Sequence, residues 1–269
     1  MAINLKSLKK IRAIAAPRIL VYGVAGIGKS TLASSADGVV YHAFEDAGPI
    51  STTYLAENQN TPIITDFSEV MGESGVRALY EQDHDFKIYA ADSLSSLERV
   101  IWAKVCQNGQ KSSIEDFGYG KGYNMALDLW QEYLTGLDAI RNQRNMAIVL
   151  LAHSEVEKFI DPITESYDQY RPDLHKAASK MVRKWADAVL FVNYKTFTKQ
   201  EDTGFGKKIV RGVGVGQRAV FTNERPSYLA KNRYNLPDEL PLDWSSIITA
   251  IQAGMTDAPS QPDITEQAA

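Results

Sequence analysis

The sequence predicts an α/β fold in which a mainly parallel sheet carries helices on both faces. Three observations predict it. Short apolar runs alternate with longer amphipathic stretches along the first 190 residues, the order that builds parallel sheets through helical crossovers. The runs Arg18-Ile-Leu-Val-Tyr22 and Met146-Ala-Ile-Val-Leu-Leu-Ala152 are apolar throughout, as strands buried on both faces are. A glycine-rich turn separates the first run from a helix-forming segment. With 269 residues, 44% of them hydrophobic, the chain has enough apolar surface for one large domain. We place that domain at 15–252, after a short segment 1–14 and before an acidic tail, 253–269.

The elements follow in order. Arg18–Tyr22 is the first strand, and a helix runs from Lys29 to about Ser35. Val39–Phe44 is the second strand, and Pro62–Thr65 a weaker third. A helix spans about Phe67 to Tyr80. Phe86–Ala91 is the fourth strand, followed by a helix from Ser95 to Val105. Gly109–Tyr123 is punctuated by glycine and reads as loop, and a long amphipathic helix continues to Arg141. Met146–Ala152 is the most apolar strand. Ser154–Arg171 is polar and rich in loop formers. Leu174–Trp185 is helical, Ala188–Val192 a strand, and Gly204–Phe221 a glycine-bearing hairpin. Trp244–Gln252 is a last short helix. The segment from Ala253 onward is small, polar and proline-bearing, the composition of a disordered tail.

Composition excludes several classes. No stretch approaches the roughly 20 apolar residues of a membrane span, and Met1–Lys10 lacks the apolar core of a signal peptide. One cysteine, Cys106, excludes an internal disulfide and a cysteine metal cluster. These points suggest a cytoplasmic location. The formal net charge is −4, and the tail, with three acids and no Lys or Arg, supplies three of those charges. No global basic field announces nucleic acid.

The chemistry concentrates in Gly23-Val-Ala-Gly-Ile-Gly-Lys-Ser30, which matches the phosphate-binding pattern G-x-x-x-x-G-K-[ST]. Glycines let the backbone wrap a phosphate and aim N–H groups inward. Gly23, Val24, Ala25, Gly26, Ile27, Gly28, Lys29, Ser30 and Thr31 form the expected cradle for ATP. Lys29 reaches the β- and γ-phosphates, and the Ser30 hydroxyl holds Mg²⁺. Asp92, at the end of the Phe86–Ala91 strand, is the second metal-side group, binding through water or accepting from Ser30. Asp92 also suits the cap of the following helix. Glu45 and Asp46 follow the second strand at the carboxyl edge of the sheet, beside the cradle. Glu45 is the candidate for activating water, with Asp46 the alternative. His153 ends the Met146–Ala152 strand at the same edge, placed to touch the γ-phosphate and signal it to the next segment.

These residues, with Ala91-Asp-Ser-Leu94, Phe117-Gly-Tyr-Gly-Lys-Gly-Tyr123, Leu151-Ala-His-Ser154 and Ala230-Lys-Asn-Arg-Tyr234, resemble the phage-encoded, RecA-like ATP-binding proteins, some of which are single-strand annealing recombinases. The resemblance covers about residues 15–252. It implies a RecA-like core with ATP between neighbouring subunits and two DNA-facing loops. Gln107–Tyr123 and Ser154–Arg171 occupy those positions. The first offers Lys111, Phe117, Tyr119, Lys121 and Tyr123, and the second Lys158, Tyr167, Tyr170 and Arg171, cations and rings suited to single-stranded DNA. It also implies that Lys231 and Arg233 complete the ATP site of an adjacent subunit. Expected partners are single-stranded DNA, further copies of the chain and a single-strand-binding protein. His153 stands where RecA has glutamine, and no large extra DNA-binding domain fits, which favours annealing over long-range strand exchange. The competing functions are a nucleotide-switched accessory module, a hexameric helicase motor and, lacking a lid with clustered arginines, a small-molecule kinase.

Overall fold

The computed structural model describes residues 15–46, 63–202 and 208–256. In chain order the elements are β1 (Arg18–Gly23), α1 (Lys29–Ser34), β2 (Val39–Ala43), α2 (Phe67–Met71), α3 (Val76–Glu81), β3 (Ile88–Asp92), α4 (Leu94–Gly109), α5 (Lys121–Arg144), β4 (Ala147–Phe159), β5 (Tyr167–Pro172), α6 (Lys176–Trp185), β6 (Ala188–Asp202), β7 (Lys208–Phe221), β8 (Lys231–Asn232), β9 (Glu239–Leu240) and α7 (Trp244–Thr256). The sheet order is β2-β3-β4-β1-β6-β7-β9. From β2 to β6 every pairing is parallel, and β7 and β9 add antiparallel pairs. This is the α/β class expected, with the glycine-rich turn leaving the sheet from β1, between β4 and β6.

Successive side chains of a strand point to opposite faces, and the sheet therefore builds two cores. Leu20, Tyr22, Tyr89 and Phe191 pack on one face, with Trp130, Tyr133 and Leu137 of α5 and Leu97 and Ile101 of α4. Ile19, Val21, Ala90 and Leu190 pack on the other, with Leu32 and Ala33 of α1 and Ile247 and Ile251 of α7.

Several expectations need correction. The helix expected over 67–80 is two, α2 and α3, broken at Gly72–Gly75. A side chain at Gly75 would meet the Val70 carbonyl oxygen at 2.2 Å, so the break brings backbone against backbone. The weak strand at 62–65 is reduced to a single bridge between Ile63 and Ala43, and Pro62 lies outside the described residues. The polar segment 154–171 is ribbon rather than loop: β4 runs on past His153 and pairs antiparallel with β5. Likewise the hairpin expected at 204–221 has β6 itself as its first arm, paired with β7 from Phe191↔Phe221 out to Asp202↔Lys208. Residues 203–207 lie outside the described residues. Both ribbons continue past the carboxyl edge of the sheet, where β1 ends, one on each side of β1. By strand rise, β4–β5 extends about 20 Å and β6–β7 about 30 Å.

The expected tail also begins too early. Helix α7 continues to Thr256, four residues into it. Met255 packs against the second core, and a side chain at Gly254 would overlap the Tyr234 carbonyl oxygen at 1.5 Å. Segments 1–14 and 257–269 lie outside the described residues. Among the described residues no helix is long and apolar enough to cross a membrane.

Candidate nucleotide-binding site

The turn between β1 and α1 takes its shape from its glycines. At Gly23 a side chain would overlap the Val192 carbonyl oxygen at 2.2 Å, so only glycine lets the chain leave β1 against β6. Gly28 has φ +107°, a backbone that side-chain-bearing residues rarely adopt. Lys29 opens α1 and is 6% exposed. Its Nζ donates to the carbonyls of Gly23 and Val24 at 2.9 and 3.0 Å. Burial lowers its pKa, while Asp92 and Glu45 oppose that shift.

Asp92 closes β3 and is 2% exposed. Its Oδ2 accepts from Ser30 Oγ at 2.5 Å and also from the Tyr41 hydroxyl. Asp92 does not cap α4; Ser93 does, accepting from the Ser96 backbone N–H. Asp92 is thereby released for the cradle. A buried carboxylate joined to a hydroxyl beside a lysine is a hard-oxygen set that suits Mg²⁺, which takes few protein ligands and completes its shell with phosphate and water. Among the described residues no group of three His, Cys, Asp or Glu could hold a metal alone. The residues thus fit a cation shared with a bound triphosphate.

Glu45 and His153 meet across the same edge. His153 Nε2 lies 2.8 Å from Glu45 Oε1, and Ser96 Oγ donates to Glu45 Oε2 at 2.5 Å. The His153 contact, helped by Ser96, holds the Glu45 carboxyl down at about 2 despite partial burial. The same contact raises the His153 pKa. The His153 backbone N–H donates to Ser95 Oγ at 3.2 Å. The first turn of α4 therefore holds both partners. A cleft of about 400 Å³ unites Lys29, Ser30, Thr31, Glu45, Asp46, Asp92 and His153 with Gly26 and Gly28.

Lys231 and Arg233 are not part of this cleft. Lys231 lies beside Val189, three residues below the carboxyl edge of β6, about 10 Å away by strand rise. Its Nζ donates to the carbonyls of Arg183, Lys184 and Ala186 at the end of α6. An ammonium has three N–H donors, and these bonds occupy all of them, so Lys231 is committed to its own chain. Arg233 pairs with Asp187 at 3.1 Å and is half exposed.

The nucleic-acid readings divide in the same way. Tyr123 stacks on His175, 4.5 Å between ring centroids. Phe117 lies against Gly109, Tyr170 stacks on Phe191, and Tyr167 packs on Phe159. Arg171 is paired with Glu157 and sits over Phe159. The rings expected to stack on bases are mostly turned inward. Lys111, Lys121 and Lys158 are exposed. So is Tyr119, fully, with φ +48° between two left-handed glycines. At the tip of β4–β5, Ile160 and Ile163 are 79% and 90% exposed.

Three functional neighbours escaped the sequence: Tyr41, Ser96 and Arg218. Arg218, on β7, donates to the Ile27 carbonyl at 3.1 Å and buttresses the cradle from outside. Ser96 had a local signal, the serine-rich start of α4. Arg218 had none, because 191 residues separate it from its partner.

A family model for the AAA domain matches residues 15–234. The chain belongs to the AAA-domain family. This AAA domain is a P-loop nucleotide-binding unit by its family and by the cradle described. Solved structures similar to it include the RadB recombinase, at 15% identity over 81% of this chain and 92% of that one, with a TM-score of 0.42. The flagellar accessory protein FlaH from Methanocaldococcus jannaschii is another, at 14% identity over 78% and 86%, with a TM-score of 0.35. No curated protein matches the chain.

Proposed function

We propose that this AAA domain is a Mg²⁺-dependent ATPase that binds single-stranded DNA and promotes annealing or strand pairing in recombination, working as an oligomer. One observation carries the reading: Lys29, the Ser30–Asp92 pair and the Glu45–His153 pair converge in a single cleft at the roots of two ribbons. Lys29 and the loop N–H groups bind the triphosphate. Ser30 and Asp92 would hold Mg²⁺, which would neutralise phosphate charge. Glu45, anionic and aimed by His153 and Ser96, accepts a hydrogen bond from the attacking water. Each carboxylate oxygen has two acceptor sites, so room for that bond remains. The exposed Tyr119, Lys121 and Lys158 support DNA contact, with the family resemblance behind them. Arg233, half exposed, is the remaining candidate for contact with a neighbour's nucleotide.

A second reading rests on the same geometry. The Glu45 carboxylate is already engaged by His153 and Ser96, and a carboxylate whose pKa such contacts lower is a weak proton acceptor, which favours slow turnover and a nucleotide-switched accessory module. ATP turnover with and without single-stranded DNA separates the two, with Lys29→Ala as the blank. Turnover that rises several-fold with DNA supports the recombination reading. Slow turnover unchanged by DNA removes it and leaves the switch. Mixing Lys29→Ala with Arg233→Ala subunits in the same assay tests the neighbour contact, and partial recovery is the expected result.

A further inference from the structure

Residues 174–186 hold four Lys or Arg and no Asp or Glu. On α6 the cations fall at Lys176, Lys180, Arg183 and Lys184, a spacing that places them along one face of the helix. The opposite face is buried through Ala178, Ser179 and Val182. Lys176, Lys180 and Lys184 are exposed. Among the described residues no carboxylate lies within ion-pair distance of any of the four. Arg183 Nε is buried without a hydrogen-bond partner. The stripe ends in a cleft of about 570 Å³ lined by Lys180, Arg183, Lys184, Lys231, Arg233 and the acid Glu224, in which Lys231 is already bonded to the α6 carbonyls and Arg233 to Asp187. At its other end α6 follows β5 after residues 173–175, and Lys176 and Arg183 border a cleft that also carries Glu98, Glu155, Glu157 and Asp173.

We propose that the basic face of α6 is a track for the phosphate backbone of a single-stranded nucleic acid, leading from the β4–β5 ribbon to the Arg233 cleft. Lys176, Lys180 and Lys184 stand about 6 Å apart along the axis, one helical step of four residues. That is the scale of one nucleotide step in an extended strand, and it repeats. A neighbour's triphosphate is a compact anion that needs cations converging on one point. A stripe spread over the length of the helix matches a polymer of regularly spaced charges instead. The inference rests on the single-strand reading above and adds a path that lies outside the segments 107–123 and 154–171.

The test is a full-length triple variant, Lys176→Ala, Lys180→Ala and Lys184→Ala, titrated with fluorescein-labelled oligothymidine from about 0.1 to 1 M salt. Three lost phosphate contacts should reduce the slope of log K against log salt by about 2. Binding is then about 100-fold weaker than wild type at 0.1 M and converges with it near 1 M. The melting temperature and the DNA-free ATP turnover stay unchanged, and the Lys→Arg triple variant restores the slope. If the wild type binds and the Ala triple binds with equal affinity and slope, the track is refuted while the single-strand reading stands. Lost self-association with unchanged oligonucleotide affinity also refutes it, assigning the face to a second copy. A wild type that binds no oligothymidine at any salt removes the reading and the track together.

Discussion

Glu45 and His153 hold each other in opposite charge states, and pH should show it. The Glu45 carboxyl falls from its ordinary 4.5 to about 2, so its stabilisation is present above 4.5 and is lost as pH falls toward 2. The His153 pKa is raised above 6.5, so its stabilisation is present below 6.5 and is lost as pH rises through the raised value. Both contributions are complete from about pH 4.5 to 6.5. The stability advantage of wild type over His153→Ala should peak in that window and shrink on both sides. It should stay under about 1 kcal/mol because the pair is partly exposed. Thermal melts at about pH 3, 5.5 and 9 check it; an advantage that grows steadily toward high pH contradicts the pairing. The cradle from Gly23 to Thr31 was legible because its whole pattern is contiguous. The choice between Glu45 and Asp46 was not, because the residue that aims Glu45 lies 108 positions away.

At Lys231 the end of a helix takes up a cation that the family resemblance implies for a neighbour's ATP site. The last carbonyls of a helix lack partners within it and carry its negative pole. The ammonium of Lys231 satisfies those of α6. We expect Lys231→Met to lower stability by about 1–3 kcal/mol through unpaired carbonyls, while ATP affinity holds. Denaturant unfolding and a nucleotide titration measure both. Unchanged stability with a large loss of turnover would instead restore the neighbour-contact role. The parallel strands were readable because burial on both faces leaves an unbroken apolar run. The β4–β5 ribbon was not, since its apolar residues alternate with polar ones and partly reach solvent: Val156 of β4 is 57% exposed. Helix α4 links these elements, for its first turn holds Glu45 and His153 and its buried Glu98 accepts from the His175 backbone N–H at 2.8 Å. That bond anchors the start of α6 to the helix that shapes the nucleotide cleft.

At the scale of the whole molecule, one sheet separates two cores, and α7 closes the second. A chain ending at Thr256 should melt like the full-length protein. One ending at Gln252 loses Met255 and the close contact of Gly254 with Tyr234, and should lose about 1–3 kcal/mol. Equal melting of the two truncations would contradict this. The residues from Ala253 onward are small and polar, as a tail's are, but small residues are also what a tight backbone crossing requires. The two ribbons give the molecule a further property. Each is rooted beside the phosphate loop, one through His153 on Glu45 and the other through Arg218 on Ile27, and each reaches far beyond its root. A tilt of about 10° at the base of the longer arm sweeps its tip, about 30 Å out, through about 5 Å. Any tilt at the root of either arm is therefore multiplied at its tip in proportion to the arm's length.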